Sequence, residues 1–414
     1  MSTSAPEPSP HPYRWAVLFG VWLIYFSFGL CIASMAPMVT EISADLNADK
    51  STMGGVLGAW QLTYIAAALP LGALMDRTGV AIGLLVSATV MAASMVLRGL
   101  SDDASMLFGA VALFGVGGPL ISIGAPKLIA LWFTGASRGM AMGIYMTGPA
   151  LGGIAMLWTA QSLLIPATGS WRGALFIVAG FVFTAGLVWW GVSRHPEAKA
   201  RDGRISGLSK AGSLKALVEL SSIRTVQIVL MMAIGIFMLN HGLNNWLPEI
   251  LRDKGMSAVE ASMWASIPTI VGVLGALTIP RFATPERRVM IMFGLFIAVG
   301  VATLLLHFDP SPSLATGLML QGIARSSMMT VAILLLMEAP GVPSDRAGMA
   351  GGMFFTVAEI GGVLGPLSIG VVAETSGGFS TPLWMLSGVS VLLLVLLVWL
   401  RTIEKGFART QDTR

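Results

Sequence analysis

Arg325 stands in the middle of "LMLQGIARSSMMTVAILLL", Leu318 to Leu336, a run with no other charge. Its guanidinium is permanently ionised and presents a flat fork of donors suited to a carboxylate or a similar anion. Glu359 is placed in the same way, alone among the apolar residues of Ala347 to Ala373. An ion pair between the two would satisfy both charges, and it could open when an anion takes the arginine and a proton takes the glutamate. Three readings stay open: a substrate-anion site at Arg325 with proton coupling at Glu359, a static structural pair, and two residues that never meet.

Polar side chains elsewhere offer the rest of a binding wall. "NHGLNNW" holds Asn240, His241, Asn244, Asn245 and Trp246. Helical spacing sets Asn240 and Asn244 on one face, and His241 and Asn245 on the next. Amides in such a setting bind either substrate or neighbouring helices, and His241 alone is too common a feature to be claimed as a proton carrier. Tyr25, Trp60, Gln61, Tyr64 and Tyr145 supply aromatic and polar surface in the amino-terminal part of the chain. For the aromatics, packing or an interfacial belt is the competing reading. Lys127 reads either as an anchor reaching a membrane surface or as an attraction for anions at an inner mouth.

These residues need elements to hold them. The composition, 55% hydrophobic and 11% charged over 414 residues with a mean hydropathy of +0.79, is that of a membrane protein. Twelve charge-poor runs, from Trp15–Thr40 to Thr375–Leu400, are near or above the roughly 20 residues an α-helix needs to cross the hydrocarbon. Strands of a membrane barrel would be about 10 residues long and would alternate in polarity. Centring the tenth run on residue 324 puts Arg325 at the bilayer midplane. A cation there costs roughly 2.5 to 3.5 kcal/mol on insertion scales, so an offsetting partner is required. Cys31 is the only cysteine, so no disulfide within the chain can brace the fold. With both ends cytoplasmic, the outer segments carry only Lys50, Arg98, Arg172, Arg252 and Lys254, and the inner segments carry most of the other basic residues. The net charge of +4 then reports topology and implies no nucleic-acid partner.

The basic stretch "SRHPEAKARDGRISGLSKAGSLKALVELSSIR" separates six runs from six. The expected organisation is an all-α membrane protein of twelve transmembrane helices in two six-helix halves. It comprises a cytoplasmic tail (1–14), a first half (15–193), a basic linker (194–224), a second half (225–402) and a cytoplasmic tail (403–414). Leu214, Leu217 and Val218 suggest a short surface helix in the linker. "SRGMAMGIYMTGPALGG" at Ser137 resembles "DRAGMAGGMFFTVAEIGGVLGP" at Asp345, a sign of internal repetition.

"GALMDRTG", Gly72 to Gly79, resembles the loop motif between the second and third helices of the major facilitator superfamily. The basic residues that usually trail it are replaced by Val80 and Ala81. "GPALGG", Gly148 to Gly153, resembles the glycine-proline signature of that superfamily's exchangers and exporters, with Ile144 where a glycine is expected. "NNWLPEILRDKGMSAVEASMWASIPTIVGVLGAL", Asn244 to Leu277, is similar to the seventh and eighth helices of its cyanate permease and nitroimidazole-resistance subgroup. The resemblance implies a secondary active transporter working by alternating access, in which the first, fourth, seventh and tenth helices line a central cavity. Arg325, Tyr25, Asn240, Asn244, Tyr64, Gln61 and Tyr145 become the expected substrate-binding residues, and Glu359 the candidate for proton coupling. Asp76, Arg77, Arg138 and Arg346, with Arg281, become a cytoplasmic network that holds one state and breaks in the other.

A small anion, with uptake alongside H+ or in exchange, is the leading substrate class. Efflux of apolar drug-like compounds across a fixed Arg325–Glu359 pair is the alternative. The expected setting is the cell membrane, a bacterial inner membrane, with the protein as a monomer in the lipid bilayer. No cofactor is expected and an enzyme is disfavoured, since the sequence has no zinc-spaced histidines, no nucleophile elbow and no phosphate-binding loop ending in Gly-Lys-Ser/Thr.

Overall fold

The computed structural model describes residues 11–202, 217–308, 312–339, 341–343 and 346–412. Eleven of its helices are long and apolar enough to cross a membrane, and one bent pair makes a twelfth if read as a single span. In chain order these are α1 (Arg14–Ala33), α2 (Lys50–Leu57 and Ala59–Thr78), α3 (Val80–Gly99), α4 (Ala104–Trp132), α5 (Gly135–Thr159) and α6 (Trp171–Ser193). They continue as α7 (Arg224–Asp253), α8 (Ala258–Ala265 and Ile267–Phe282), α9 (Arg288–Leu305), α10 (Pro312–Met337), α11 (Ala347–Ser376) and α12 (Ser380–Asp412). Most of the linker, with Leu214, and the first ten residues lie outside the described residues, so the surface helix expected there is not addressed.

Helices in lipid gain nothing from burying apolar surface against each other, so they associate through close packing of small residues. In α5, Gly148 and Gly152 lie one turn apart against the backbone of α1 at Trp22 and Phe26. Gly361 and Gly365 of α11 do the same against α7, where a Cβ would strike the carbonyls of Ile234 and Met238. Gly115 fits α4 to the Trp60 carbonyl of α2, and Gly322 fits α10 to Pro268 of α8. The pairings of first with fifth and of second with fourth thus recur in each set of six helices.

Gly79, the last residue of the loop motif, has φ +94°, a conformation glycine adopts without strain. Its missing side chain leaves room for Asp202, whose Oδ1 accepts from the amides of Val80 (2.9 Å) and Ala81 (3.3 Å). A carboxylate at the amino end of α3 meets free N–H groups and the positive end of the helix dipole. The start of the linker is thereby tied to the first helix set.

Candidate functional site

Arg325 occupies the middle of α10 and is 7% exposed. Its Nη2 donates to Asn244 Oδ1 of α7 at 2.5 Å, while Nε and Nη1 are buried with no partner. Asn244 in turn donates from Nδ2 to Asn240 Oδ1 at 3.0 Å, so the face shared by Asn240 and Asn244 becomes a short polar ladder ending on the guanidinium.

Glu359 sits near the middle of α11, 6% exposed. Arg325 and Glu359 form no ion pair, so a static pair is not what this conformation contains. Instead Glu359 Oε2 stands 3.9 Å from Nε2 of His241, without a hydrogen bond of its own. The far side of the same imidazole, Nδ1, lies 3.3 Å from Nε2 of Gln61 on α2, which is fully buried. Gly362 makes the space: a Cβ there would fall 2.5 Å from Glu359 Oε2 and 2.9 Å from Gln61 Cγ. One helix, α7, therefore presents an amide face to the cation and an imidazole face to the acid, one residue apart.

Trp60 packs edge-on to Tyr64 at 5.9 Å and to His241 at 5.6 Å between ring centroids. Tyr25 and Tyr145 stack on each other at 5.5 Å, joining α1 to α5. The ring contacts of these two tyrosines, and that of Tyr64 with Trp60, stay among α1, α2 and α5, so they form a wall in the first helix set.

Beyond the Gln61–His241 and Trp60–His241 contacts, the hydrogen bonds between the two helix sets gather, among the described residues, at one end, opposite Arg14 and Arg224. Thr40 donates its hydroxyl (2.6 Å) and its amide (3.3 Å) to Glu249, and Arg252 Nη1 donates to Glu41 (3.1 Å) and Glu249 (3.4 Å). Lys50 N bonds Glu374 (3.1 Å), and Trp158 Nε1 bonds Ser266 (2.8 Å). Gly54 and Gly370 bring α2 and α11 to backbone contact, since a Cβ at Gly54 would lie 2.6 Å from the Pro366 carbonyl.

At the other end the residues expected to form a state-dependent network are not joined across the seam. Asp76 pairs with Lys127 of α4. Arg346 pairs with Glu219 (2.6 Å) just before α7, and Arg288 with Glu338 (2.8 Å). Among the described residues Arg77, Arg138 and Arg281 enter no ion pair, and none of the pairs at this end joins α1–α6 to α7–α12. The seam is sealed at one end and unlinked by charge at the other.

No group of three His, Cys, Asp or Glu side chains that could hold a metal occurs among the described residues. The family model described as Major Facilitator Superfamily matches residues 21–297 and 251–413. The chain belongs to that superfamily. As a member of the superfamily it is a multi-pass membrane transporter and not an enzyme.

Among curated proteins, this facilitator is 22% identical to the probable galactarate/D-glucarate transporter GudP of Escherichia coli (strain K12), over 95% of this chain and 94% of that one. It is 23% identical to the 2-nitroimidazole transporter of the same strain, over 93% and 94%. The crystal structure of the nucleoside transporter NupG superimposes with a TM-score of 0.77 at 17% identity, covering 94% of this chain and 99% of that one, a likeness of fold.

The sequence singled out Arg325, Glu359 and the α7 amides, and the structure joins Arg325 to the amides alone. Sequence reasoning missed the Gln61–His241–Glu359 line, because Gln61 and His241 come from different helix sets. It also placed Arg98 just beyond the end of a span, whereas that residue lies inside α3 and is 1% exposed.

Proposed function

We propose that this facilitator is a secondary active transporter that moves a small organic anion by alternating access, with Arg325 as its anion contact. The observation that carries this reading is a guanidinium at mid-span that, among the described residues, has no carboxylate partner and is held by one amide, Asn244. Such a charge is costly unless a mobile anion supplies the missing compensation for part of the cycle. Asn244 is exposed although it lies within a span and is bonded to a buried cation. An amide facing lipid would leave polar atoms unmet. We read its exposure as the surface of a wet passage between the two halves, 15–193 and 225–402.

The names of relatives divide: one is a probable sugar diacid transporter, which leans the same way, and another takes a nitroimidazole, a heterocycle without a carboxylate. A single midplane cation favours one carboxylate or a compact monoanion, in keeping with the likeness of α7 and α8 to the cyanate permease and nitroimidazole-resistance subgroup. Efflux of apolar compounds needs Arg325 and Glu359 fixed as a pair, and no observation favours it.

Because a negative interior opposes anion entry by about 2.3 kcal/mol per charge per 100 mV, uptake needs a cation in company. Glu359 is our candidate to carry the proton, with His241 beside it. With the termini inside, the sealed seam lies outside, so the state described is open to the cytoplasm.

The test is a ligand-induced thermal shift on purified protein, with small mono- and dicarboxylates set against matched neutral amides and alcohols. Stabilisation by a carboxylate that disappears in a folded Arg325→Ala variant is the expected result. Equal stabilisation of both proteins by neutral compounds would remove the anion reading.

A further inference from the structure

Among the described residues, the transport scheme above leaves unused one buried cation that has no acid beside it. Arg98, one residue before the end of α3, lies roughly 13 Å from that helix's middle at 1.5 Å per residue, toward the sealed end of the seam. It is 1% exposed, yet no Asp or Glu pairs with it among the described residues, whereas the similarly buried Arg288 has Glu338. Its Nη1 donates to the Cys31 carbonyl and to Ser34 Oγ, both at 3.0 Å, and its Cζ lies 5.4 Å from the Phe114 ring centroid. Nε is buried with no partner. The Cys31 carbonyl belongs to the last turn of α1, so the negative end of that helix meets part of the charge. These partners are neutral, and a full positive charge remains.

Beside the guanidinium is a cavity with room for about one water-sized molecule, lined by Cys31, Leu57, Trp60, Arg98 and Asn245 among others. Its lining comes from α1–α4 and from Met35 just after α1, except for Asn245, which closes over it from α7 across the seam. Asn245 Nδ2 is held by the His241 carbonyl at 2.8 Å. Trp60 faces both ways: it lines this cavity and sits 5.6 Å from the His241 ring at mid-depth. When the halves part at this end, Asn245 withdraws with α7 and the cavity joins the opening.

We propose that Arg98 is a second anion station on the route between the sealed end and Arg325. It takes a small carboxylate or oxyanion once the seam opens, and Trp60 partitions the two stations. The inference goes beyond the Arg325 site and shares with it only the sign of the cargo.

Cys31, the sole cysteine, lines the same cavity and can report the field there. The experiment measures its modification rate by two membrane-impermeant methanethiosulfonates, the anionic ethylsulfonate and the cationic ethyltrimethylammonium, added from the face away from the termini. The protein is used as it stands and with the seam weakened by Glu249→Ala plus Arg252→Ala. Any change in thiol ionisation or access affects both reagents alike, so their rate ratio isolates electrostatics.

The expected result is a ratio favouring the anionic reagent in the weakened background, falling at least tenfold with Arg98→Gln and kept with Arg98→Lys. Added formate should slow the anionic reagent only where Arg98 or Lys is present. A ratio that Arg98→Gln leaves unchanged, or a Cys31 that stays unreactive in the weakened background, would overturn the proposal and make Arg98 a clamp on the end of α1. Should Arg98→Gln fail to fold, the Arg98 protein alone still decides, because a ratio that does not fall with rising salt also overturns it.

Discussion

At the scale of single residues, Asn244 orients the guanidinium proposed to meet the anion, through a charge-assisted bond of 2.5 Å. Hydrogen bonds to charged groups contribute about 1.5 to 3 kcal/mol. Asn244→Ala should therefore weaken anion binding roughly tenfold or more while Arg325 stays in place, as measured by titrating the thermal shift. Glu359→Gln should preserve exchange of labelled for unlabelled anion across vesicles and abolish accumulation driven by an imposed pH gradient. Retained accumulation would remove Glu359 from coupling. Arg325 and Glu359 were legible because a charge inside an apolar run has few innocent explanations. Arg98 was not: it falls near the end of a span, where a basic residue ordinarily reads as a loop charge. Its burial depends on where α1 stops, and nothing in the composition marks that place.

At the scale of helices, the packing that holds the site is steric and one-sided. Gly361 and Gly365 let α11 lie on the backbone of α7, and that contact sets where Glu359 meets His241. Gly361→Leu should separate the two helices, lower the thermal midpoint in detergent and reduce anion binding with it. Leucine at Gly351 of the same helix, where a Cβ has nothing within 4 Å, should be tolerated. The helices themselves were readable from run length and hydropathy, and the loop motif from spacing. Which helices touch was less so, since glycine marks close approach without naming its partner. The agreement between "GPALGG" and "AEIGGVLGP" pointed to equivalent roles, and both glycine pairs do pack on the first helix of their own set.

For the whole molecule, the contacts that seal one end decide which face the passage opens to. Arg252 bridges Glu41 and Glu249 across the seam. Arg252→Ala removes that bridge and leaves two acids close together. It should shift the population toward the outward-open form, read as faster labelling of Cys31 from that side. Such shifts need only a few kcal/mol of difference between states. This is why the conformation itself was not legible: one sequence encodes both states, and the arginines expected to bind across the seam have no cross-seam ion pair among the described residues in this one. Much of the closure, moreover, is made by main-chain atoms. Thr40 and Lys50 donate through their amides, and Gly54 and Gly370 meet the carbonyls of Pro366 and Lys50. An alanine scan of the outer loops would leave the amide of Lys50 donating as before and score the position as inert. Only its partner, Glu374, would register the loss, so a map of this interface built from side-chain deletions would look half its true width.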